Sequence, residues 1–416
     1  MNKYRYIAGK IRSGSKSESQ GDRMGSVSSV IGLVSVAVSI FVIIVAVCVL
    51  MGFRKEIRSK TSAYMGALAL VAPGQNPMNE HYPFSSNISF LGKLDSLPGI
   101  VSHQPVAYCS GLIKTEDNIY GAHFKGVDSL YNFSFFADNL TDGSTPSFGG
   151  RISSDIMMAS RLARQMGYGV GDEVTAYFIG DDVKVRKFTI CGLFDAQLEN
   201  LDNSMIMCDI RQVRRLNGWE KDEVSSIEIM ICDGSDIDRE SDLVSNLVYD
   251  ESKDEDPALF VTSVKQIFPN LFDWLNLLDF NVVAILLLMI VVAGFNMISS
   301  LLIILFRNIS SIGLLKAMGM TSGGVEKVFR HIALNIVGKG LAIGTVLAIA
   351  LCAVQKHFKI LTLDPENYFV KYVPIDFNFW YIILADAVAL VAIMLILSLT
   401  SRFIAKVSPD KTMRTA

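Results

Sequence analysis

The residues able to do acid–base, nucleophilic or metal chemistry are few and poorly spaced for it. The five histidines, His81, His103, His123, His331 and His357, are scattered along the chain. None has a second histidine at i+4, the spacing that sets two imidazoles on one helix face around a metal. Asp202 and Asp209 are the acidic pair of interest, but nothing in the sequence brings them together, so a carboxylate dyad has no support. The six cysteines match no metal-binding spacing. Gly338-Lys339-Gly340 lacks the first glycine and the hydroxyl residue of a phosphate-binding loop. The chain is therefore expected neither to be an enzyme nor to bind ATP, and no cofactor or metal site is expected in it.

Other polar residues stand out because of what surrounds them. The chain has 416 residues, 50% of them hydrophobic and 19% charged, with mean hydropathy +0.37. That is too apolar for an ordinary soluble protein and too charged for a wholly embedded one. Four runs reach the roughly 20 apolar residues a membrane span needs: 27–52, 277–306, 332–354 and 379–401. Ser35 and Ser39 punctuate the first run, with Ser28 and Gly32 beside them. Asn296 sits mid-way in the second, with interhelical hydrogen bonding the expected role and a part in transport the alternative. Gly340, Gly344, Ala348 and Cys352 recur every fourth residue in the third, a small-residue packing face expected to serve within the subunit, with a dimer seam the alternative. Lys339 and Asp386 lie about seven residues into their runs from opposite surfaces. At 1.5 Å rise they differ in depth by about 10 Å, so a direct salt bridge is not expected. Lys339 can snorkel, whereas a carboxylate at Asp386 needs a partner or a wet cavity.

Charge orients the spans. The arm 1–26, the loop 307–331 and the tail 402–416 together hold 14 basic and 4 acidic residues. The loop 355–378 is balanced. The long segment 53–276 is acidic, with 20 basic against 32 acidic residues. The bias of Lys and Arg towards the cytoplasmic side puts both termini and the 307–331 loop inside and the acidic segment outside. Such a segment does not suit nucleic acid. Residues 2–12 read as a helix lying in the membrane interface. Cys109, Cys191, Cys208 and Cys232 fall in the outer segment, where disulfides are open to them, but Cys191 and Cys208 sit in strand-like runs and free thiols are expected.

In the outer segment a strand is expected at 66–73, a short helix through Ile88, Leu91, Leu94 and Leu97, and strands over 100–128. An amphipathic helix is expected at 155–167 through Ile156, Ala159, Leu162, Ala163 and Met166. Strands follow at 173–180, 184–194 and 204–209, a helix near 210–217, a strand at 224–232 and an acidic linker at 249–258. In the 307–331 loop, Ile309, Ile312, Leu315 and Met318 recur every third residue with Leu314 beside them, one apolar stripe on a short helix. Gly319 is placed to end it, and Thr321 to Gly324 read as a turn. The stripe either lies on the membrane surface or docks a partner.

IGLLKAMG, Ile312 to Gly319, resembles the coupling helix of FtsX-like ABC transporter permeases; the residue before it, acidic in that family, is Ser311 here. The resemblance extends through FKGVDSL (124–130), the run 153–172, RKFTICGLFDAQLENLDNSMIMCD (186–209), FPNLFDWLNL (268–277), AGFNMISSL (293–301) and KVSPDKTMR (406–414), all similar to the lipoprotein-releasing permeases of the LolC and LolE type. It implies an α+β membrane protein: four transmembrane helices with a large mixed α/β extracytoplasmic domain, MacB- and LolC-like, between the first and second. It implies that Ile309, Ile312, Gly313, Leu314, Leu315, Lys316, Ala317, Met318 and Gly319 dock a cytoplasmic LolD-like ATPase dimer, which would bind ATP and magnesium. A second permease chain, a lipoprotein substrate, a LolA-like periplasmic carrier and membrane lipid are the other implied partners. A MacB-like efflux permease usually carries a fused N-terminal ATPase, and only 26 residues precede the first span. An FtsX-like regulator of cell-wall hydrolases usually has a smaller outer domain. A non-transporting scaffold would bind no ATPase.

Overall fold

The computed structural model describes residues 22–405, apart from 117, 181, 199–201, 254–255, 308–312 and 315. The interfacial segment 2–12 and the tail 406–416 lie outside the described residues, as do Ile309, Ile312 and Leu315. The described chain forms two units, a helical one and a sheet one. The sheet unit is 54–274 together with 362–372, and the helical unit takes the stretches on either side.

The helical unit is built on four helices long and apolar enough to cross a membrane. They are α1 (Asp22–Met65), α8 (Pro269–Arg307), α9 (Ser322–Phe358) and α11 (Phe379–Ala405). At 1.5 Å per residue, the 44 residues of α1 extend about 66 Å, roughly twice the hydrocarbon thickness. Its polar continuation past Gly52 is thus helical, as the spacing of Phe53, Ile57 and Tyr64 predicts.

The third long helix starts earlier than its apolar run. Thr321 caps it, its hydroxyl accepting from Gly324 N at 3.2 Å, so Ser322, Gly323 and Gly324 form the first helical turn instead of a loop. Val325, Val328 and Phe329 on this early segment are buried in the same cluster as Ile332 and Ile336.

The sheet unit holds a ten-stranded mixed sheet. The strands are β1 (Leu68–Val71), β3 (Ile100–Lys114), β4 (Ile119–Val127), β5 (Leu140–Gly143), β6 (Asp155–Ala159), β7 (Glu173–Ile179), β8 (Val183–Phe194), β9 (Met205–Asp209), β11 (Ser226–Ile231) and β12 (Phe260–Ser263). Their order is β12-β1-β11-β3-β4-β9-β6-β8-β5, with β7 joining β3 and β8. The pairs β4–β9 and β6–β8 are parallel and the remainder antiparallel. β2 (Phe84–Ser85) and β10 (Glu223–Val224) make a separate two-stranded ribbon. Short helices α2 (Leu91–Leu94), α3 (Ser134–Asp138), α4 (Ser160–Met166), α5 (Ile210–Asn217), α6 (Ile237–Glu251), α7 (Val264–Ile267) and α10 (Pro365–Tyr368) complete the chain.

Both faces of this sheet are covered. Ala107, Cys109, Phe124, Ile156, Met158, Ile206 and Cys208 belong to one core cluster. Their strand neighbours Val106, Tyr108, Val127, Met157, Ala159, Met205 and Met207 belong to another. Successive side chains point to opposite faces, so a strand covered on both sides is apolar throughout. This corrects the expected helix at 155–167. Asp155–Ala159 is a strand buried on both faces, and only Ser160–Met166 is helical. A continuous apolar run of that length satisfies either period, and the adjoining helix extended the wrong one. The expected acidic linker is also shorter, since α6 runs to Glu251.

Candidate functional site

The loop between α8 and α9 is described only in part. Met318 N donates to the Leu314 carbonyl at 3.0 Å and Gly319 N to the Lys316 carbonyl at 2.9 Å, a helical turn carrying Lys316 and Ala317. Gly319 closes it at φ +91°, a left-handed position that favours glycine. A Cβ at Gly313 would meet nothing within 4 Å. Leu314 is 63% exposed and Met318 68%. Two large apolar side chains one turn apart therefore share an uncovered face.

The polar and small residues of the four long helices hold the helices to one another. Asn296 Nδ2 on α8 donates to Ser35 Oγ on α1 at 2.6 Å. Ser39 is buried one turn further along α1. A Cβ at Gly32 would stand 2.7 Å from Ser300 Oγ, so α1 and α8 approach closely there. On α9, a Cβ at Gly340 would lie 2.9 Å from Val36, and one at Gly344 would lie 2.5 Å from the Ala37 carbonyl. The glycine face of α9 is thus filled by α1 of the same chain. Asp386 on α11 is paired with Thr345 on α9, whose hydroxyl lies 3.0 and 3.2 Å from its carboxylate oxygens and 2.9 Å from the Leu341 carbonyl. Lys339 is exposed.

In the sheet unit the C-terminal end of α1 is fastened by a buried polar group that the sequence reading does not single out. Gly66 ends the helix at φ +77°, where a Cβ would stand 2.7 Å from the Leu68 carbonyl. Lys125 Nζ donates to the Tyr64 carbonyl, to Glu228 Oε2 at 2.8 Å and to Tyr131 Oη at 3.0 Å. Tyr108 Oη donates to Glu228 Oε1 at 3.0 Å. Tyr131 Oη in turn reaches the Ala63 carbonyl at 3.4 Å. A cation here satisfies helix-end carbonyls and complements the negative end of the helix dipole. Burial pulls the Lys125 ammonium down and pushes the Glu228 carboxyl up, with their mutual attraction opposing both. Beside it, Tyr64 Oη donates to Asp202 Oδ1, while Leu198 N donates to Asp202 Oδ2 at 3.0 Å. Burial pushes Asp202 above the usual carboxylate range, against those hydrogen bonds.

The signal for this group was slight. Glu228 sits in SIEIMI, where alternation predicts a solvent-facing polar position, and Lys125 is one polar residue in FKGV. Only the covering of the second sheet face turns these positions inward.

Apart from Ser110 and His123, the candidate acid, base and nucleophile residues are separated. Asp209 caps α5 through Arg211 N at 2.9 Å and pairs with the Arg211 guanidinium at 2.6 Å, a structural role. Asp202 serves Tyr64. His103 lies 3.2 Å from Asp95, and His331 Nδ1 lies 2.8 Å from the Lys327 carbonyl. Ser110 and His123 are cross-strand neighbours on β3 and β4, with 3.3 Å between Oγ and Nδ1. Among the described residues no three His, Cys, Asp or Glu side chains gather as metal ligands. The cysteines are free: Cys109 and Cys208 buried, Cys191 and Cys232 half-buried, and Cys48 and Cys352 buried in the helical unit. Burial pushes the Cys191 thiol up to about 11, which disfavours the reactive thiolate.

Comparison with known families gives two matches that together span most of the chain. Residues 29–247, more than half of it, match the MacB-like periplasmic core domain, and 283–409 match the FtsX-like permease C-terminal family. The lipoprotein-releasing system transmembrane protein LolC of Neisseria meningitidis is 24% identical over 99% of this chain and 97% of its own length. The LolE counterpart of Haemophilus influenzae is 22% identical over 88% and 89%. Among solved structures, the periplasmic region of MacB from Actinobacillus actinomycetemcomitans aligns at 13% identity and TM-score 0.35, over 49% of this chain and 92% of that one. The extracellular domain of the ABC-type transporter YknZ from Gram-positive bacteria aligns at 14% identity and TM-score 0.32, over 47% and 99%.

Proposed function

The chain belongs to the FtsX-like permeases with a MacB-like periplasmic core domain, and on that premise we propose that it is the permease subunit of an ATP-driven ABC transporter that extracts lipoproteins from the inner membrane. The observation that carries this reading is the end-to-end similarity to a lipoprotein-releasing LolC protein, 99% of this chain against 97% of that one. Both termini and the 307–331 loop lie in the cytoplasm and the sheet unit in the periplasm, in keeping with the charge asymmetry. The subunit is non-catalytic. Hydrolysis belongs to a separate LolD-like ATPase dimer that binds ATP and magnesium, and a second permease chain completes the transporter.

The mechanism is mechanical. Leu314 and Met318 form the apolar face offered to a groove on the ATPase. Closure of the ATPase dimer on ATP pushes that face. The push passes along α8 and α9, and along α1 through the Asn296–Ser35 hydrogen bond and the glycine contacts of α9. The foot of α1 is gripped by Lys125, so its displacement is delivered to the sheet. A lipoprotein held between spans is expelled and received by a LolA-like carrier, and its polypeptide need not cross the membrane.

The test is the double variant Leu314→Asp/Met318→Asp. Burying one such side chain contributes about 1.5–3 kcal/mol, before the ordering costs of association. The variant should insert in the membrane, keep a protease-resistant sheet unit and fail to retain the ATPase in a detergent pull-down. Full ATPase recovery would overturn the docking role of this face.

A further inference from the structure

Residues 362–372 connect α9 to α11 in sequence, yet they belong to the sheet unit. The chain passes between units four times: at 53/54 in α1, at 274/275 in α8, and on either side of this segment. The segment is a closed hairpin. Thr362 and Tyr372 pair as an antiparallel bridge, and Leu363 N donates to the Lys371 carbonyl at 2.8 Å. Between them, Asn367 Nδ2 donates to Asp364 Oδ2 at 2.8 Å around the short helix α10.

This hairpin is fastened to the sheet unit at several points. Lys371 Nζ pairs with Asp195 Oδ2 at 2.8 Å, and Lys371 N donates to Gln197 Oε1 at 3.2 Å. The Phe369 ring meets Trp274 edge-on at 5.6 Å. Lys60 on α1, 2% exposed, donates to Gln197 Oε1 at 2.8 Å and to the Phe369 carbonyl at 3.0 Å. Gln197 and Phe369 hold φ at +64° and +60°, a conformation uncommon for residues with side chains. A buried ammonium is costly unless its donors are used, and Lys60 spends two of them joining these two backbone-constrained residues.

We propose that the 362–372 hairpin is a strap by which the third and fourth spans act on the sheet unit directly, with Lys60 as the positioning residue that ties strap and α1 into one body. The inference rests on the mechanical transport reading and adds a second route to it. On this view α9, which follows the ATPase-facing loop, has its own line to the sheet unit and need not act through α1 alone.

The experiment uses the full-length permease with its ATPase in proteoliposomes, reading ATP-dependent release of a labelled lipoprotein. Lys60→Met should lower release about tenfold, the size of effect that losing two part-buried hydrogen bonds produces, while ATPase retention stays normal. Lys371→Glu should lower it about threefold, as loss of one exposed ion pair does, and Asp195→Lys should restore it. Asp195→Cys/Lys371→Cys, in a background without the six native cysteines, should crosslink on oxidation and still release lipoprotein, because strap and sheet unit move together. Failure to crosslink, wild-type release by Lys60→Met, or a crosslinked protein revived only by reductant would overturn the strap. A wild-type permease that retains ATPase but releases no lipoprotein would instead overturn the transport reading, and the crosslink would still decide the strap.

Discussion

Lys125 and Glu228 meet at 2.8 Å with neither side chain exposed, and the same ammonium holds the carbonyl of Tyr64 at the end of the first long helix. One buried cation thus serves both a strand pair and a helix terminus. Replacing one partner leaves the other charge buried alone, which costs about 3–5 kcal/mol, whereas removing both is close to neutral in many proteins. Lys125→Met should therefore lower the melting temperature of the sheet unit strongly, and Lys125→Met/Glu228→Gln should recover most of it. Thermal unfolding of the full-length protein in detergent checks this. A double variant no more stable than the single would mean that the lost grip on Tyr64 dominates.

Asp202 gives a pH signature. Its folded carboxyl titrates above the ordinary value because burial outweighs the bonds from Tyr64 and Leu198 N. Between that ordinary value and the raised one, the folded state binds a proton that the unfolded state does not. Stability therefore rises as pH falls through this window. Relative to Asp202→Asn, wild type should gain stability on acidification from neutral pH towards the ordinary aspartate value, then stay level. A gap that moves the other way would show that the hydrogen bonds win.

Gly344 should tolerate little. Its Cβ would stand 2.5 Å from the Ala37 carbonyl, a backbone atom that cannot step aside. Overpacking of this kind costs about 1–3 kcal/mol. Gly344→Val should reduce folded yield in detergent and weaken protease resistance of the span region, while Gly338→Ala, where a Cβ meets nothing within 4 Å, should behave as wild type. Equal behaviour of the two variants would contradict the close approach of α1 and α9.

Thr345 and Asp386 form a pair with an asymmetric expectation. Thr345→Val strips the carboxylate of the hydroxyl donor 3.0 Å away. Asp386 is half-buried, so leaving its carboxylate without that donor costs part of the about 1–3 kcal/mol that a fully buried unpaired group does. Asp386→Leu with Thr345→Val removes both and should be milder than Thr345→Val alone. Lipoprotein release measured beside stability separates roles: a double variant that is stable yet inactive assigns the carboxylate to transport.

What the sequence determined by itself is what depends on neighbours along the chain. Twenty apolar residues in a row must span or be buried, so the four long helices were legible, and so was the break at Gly319, where the backbone turns left-handed. The need of Asp386 for a polar partner was legible too, but not that the partner is Thr345, because periodicity gives a face and a depth and never the residue opposite. The same limit hid the Ser35–Asn296 bond, whose partners are 261 residues apart. It also hid the strand at Asp155–Ala159, where Ile156 and Met158 face one core and Met157 and Ala159 the other, so that the run from Ile156 to Ala159 is apolar without alternation. Lys125 and Glu228 look solvent-facing for the same reason, 103 residues apart in sequence and joined only when both faces of the sheet close over them. Local chemistry marks some element ends, as at Gly319, but the choice between strand and helix and the burial of charge depend on what long-range packing places on top.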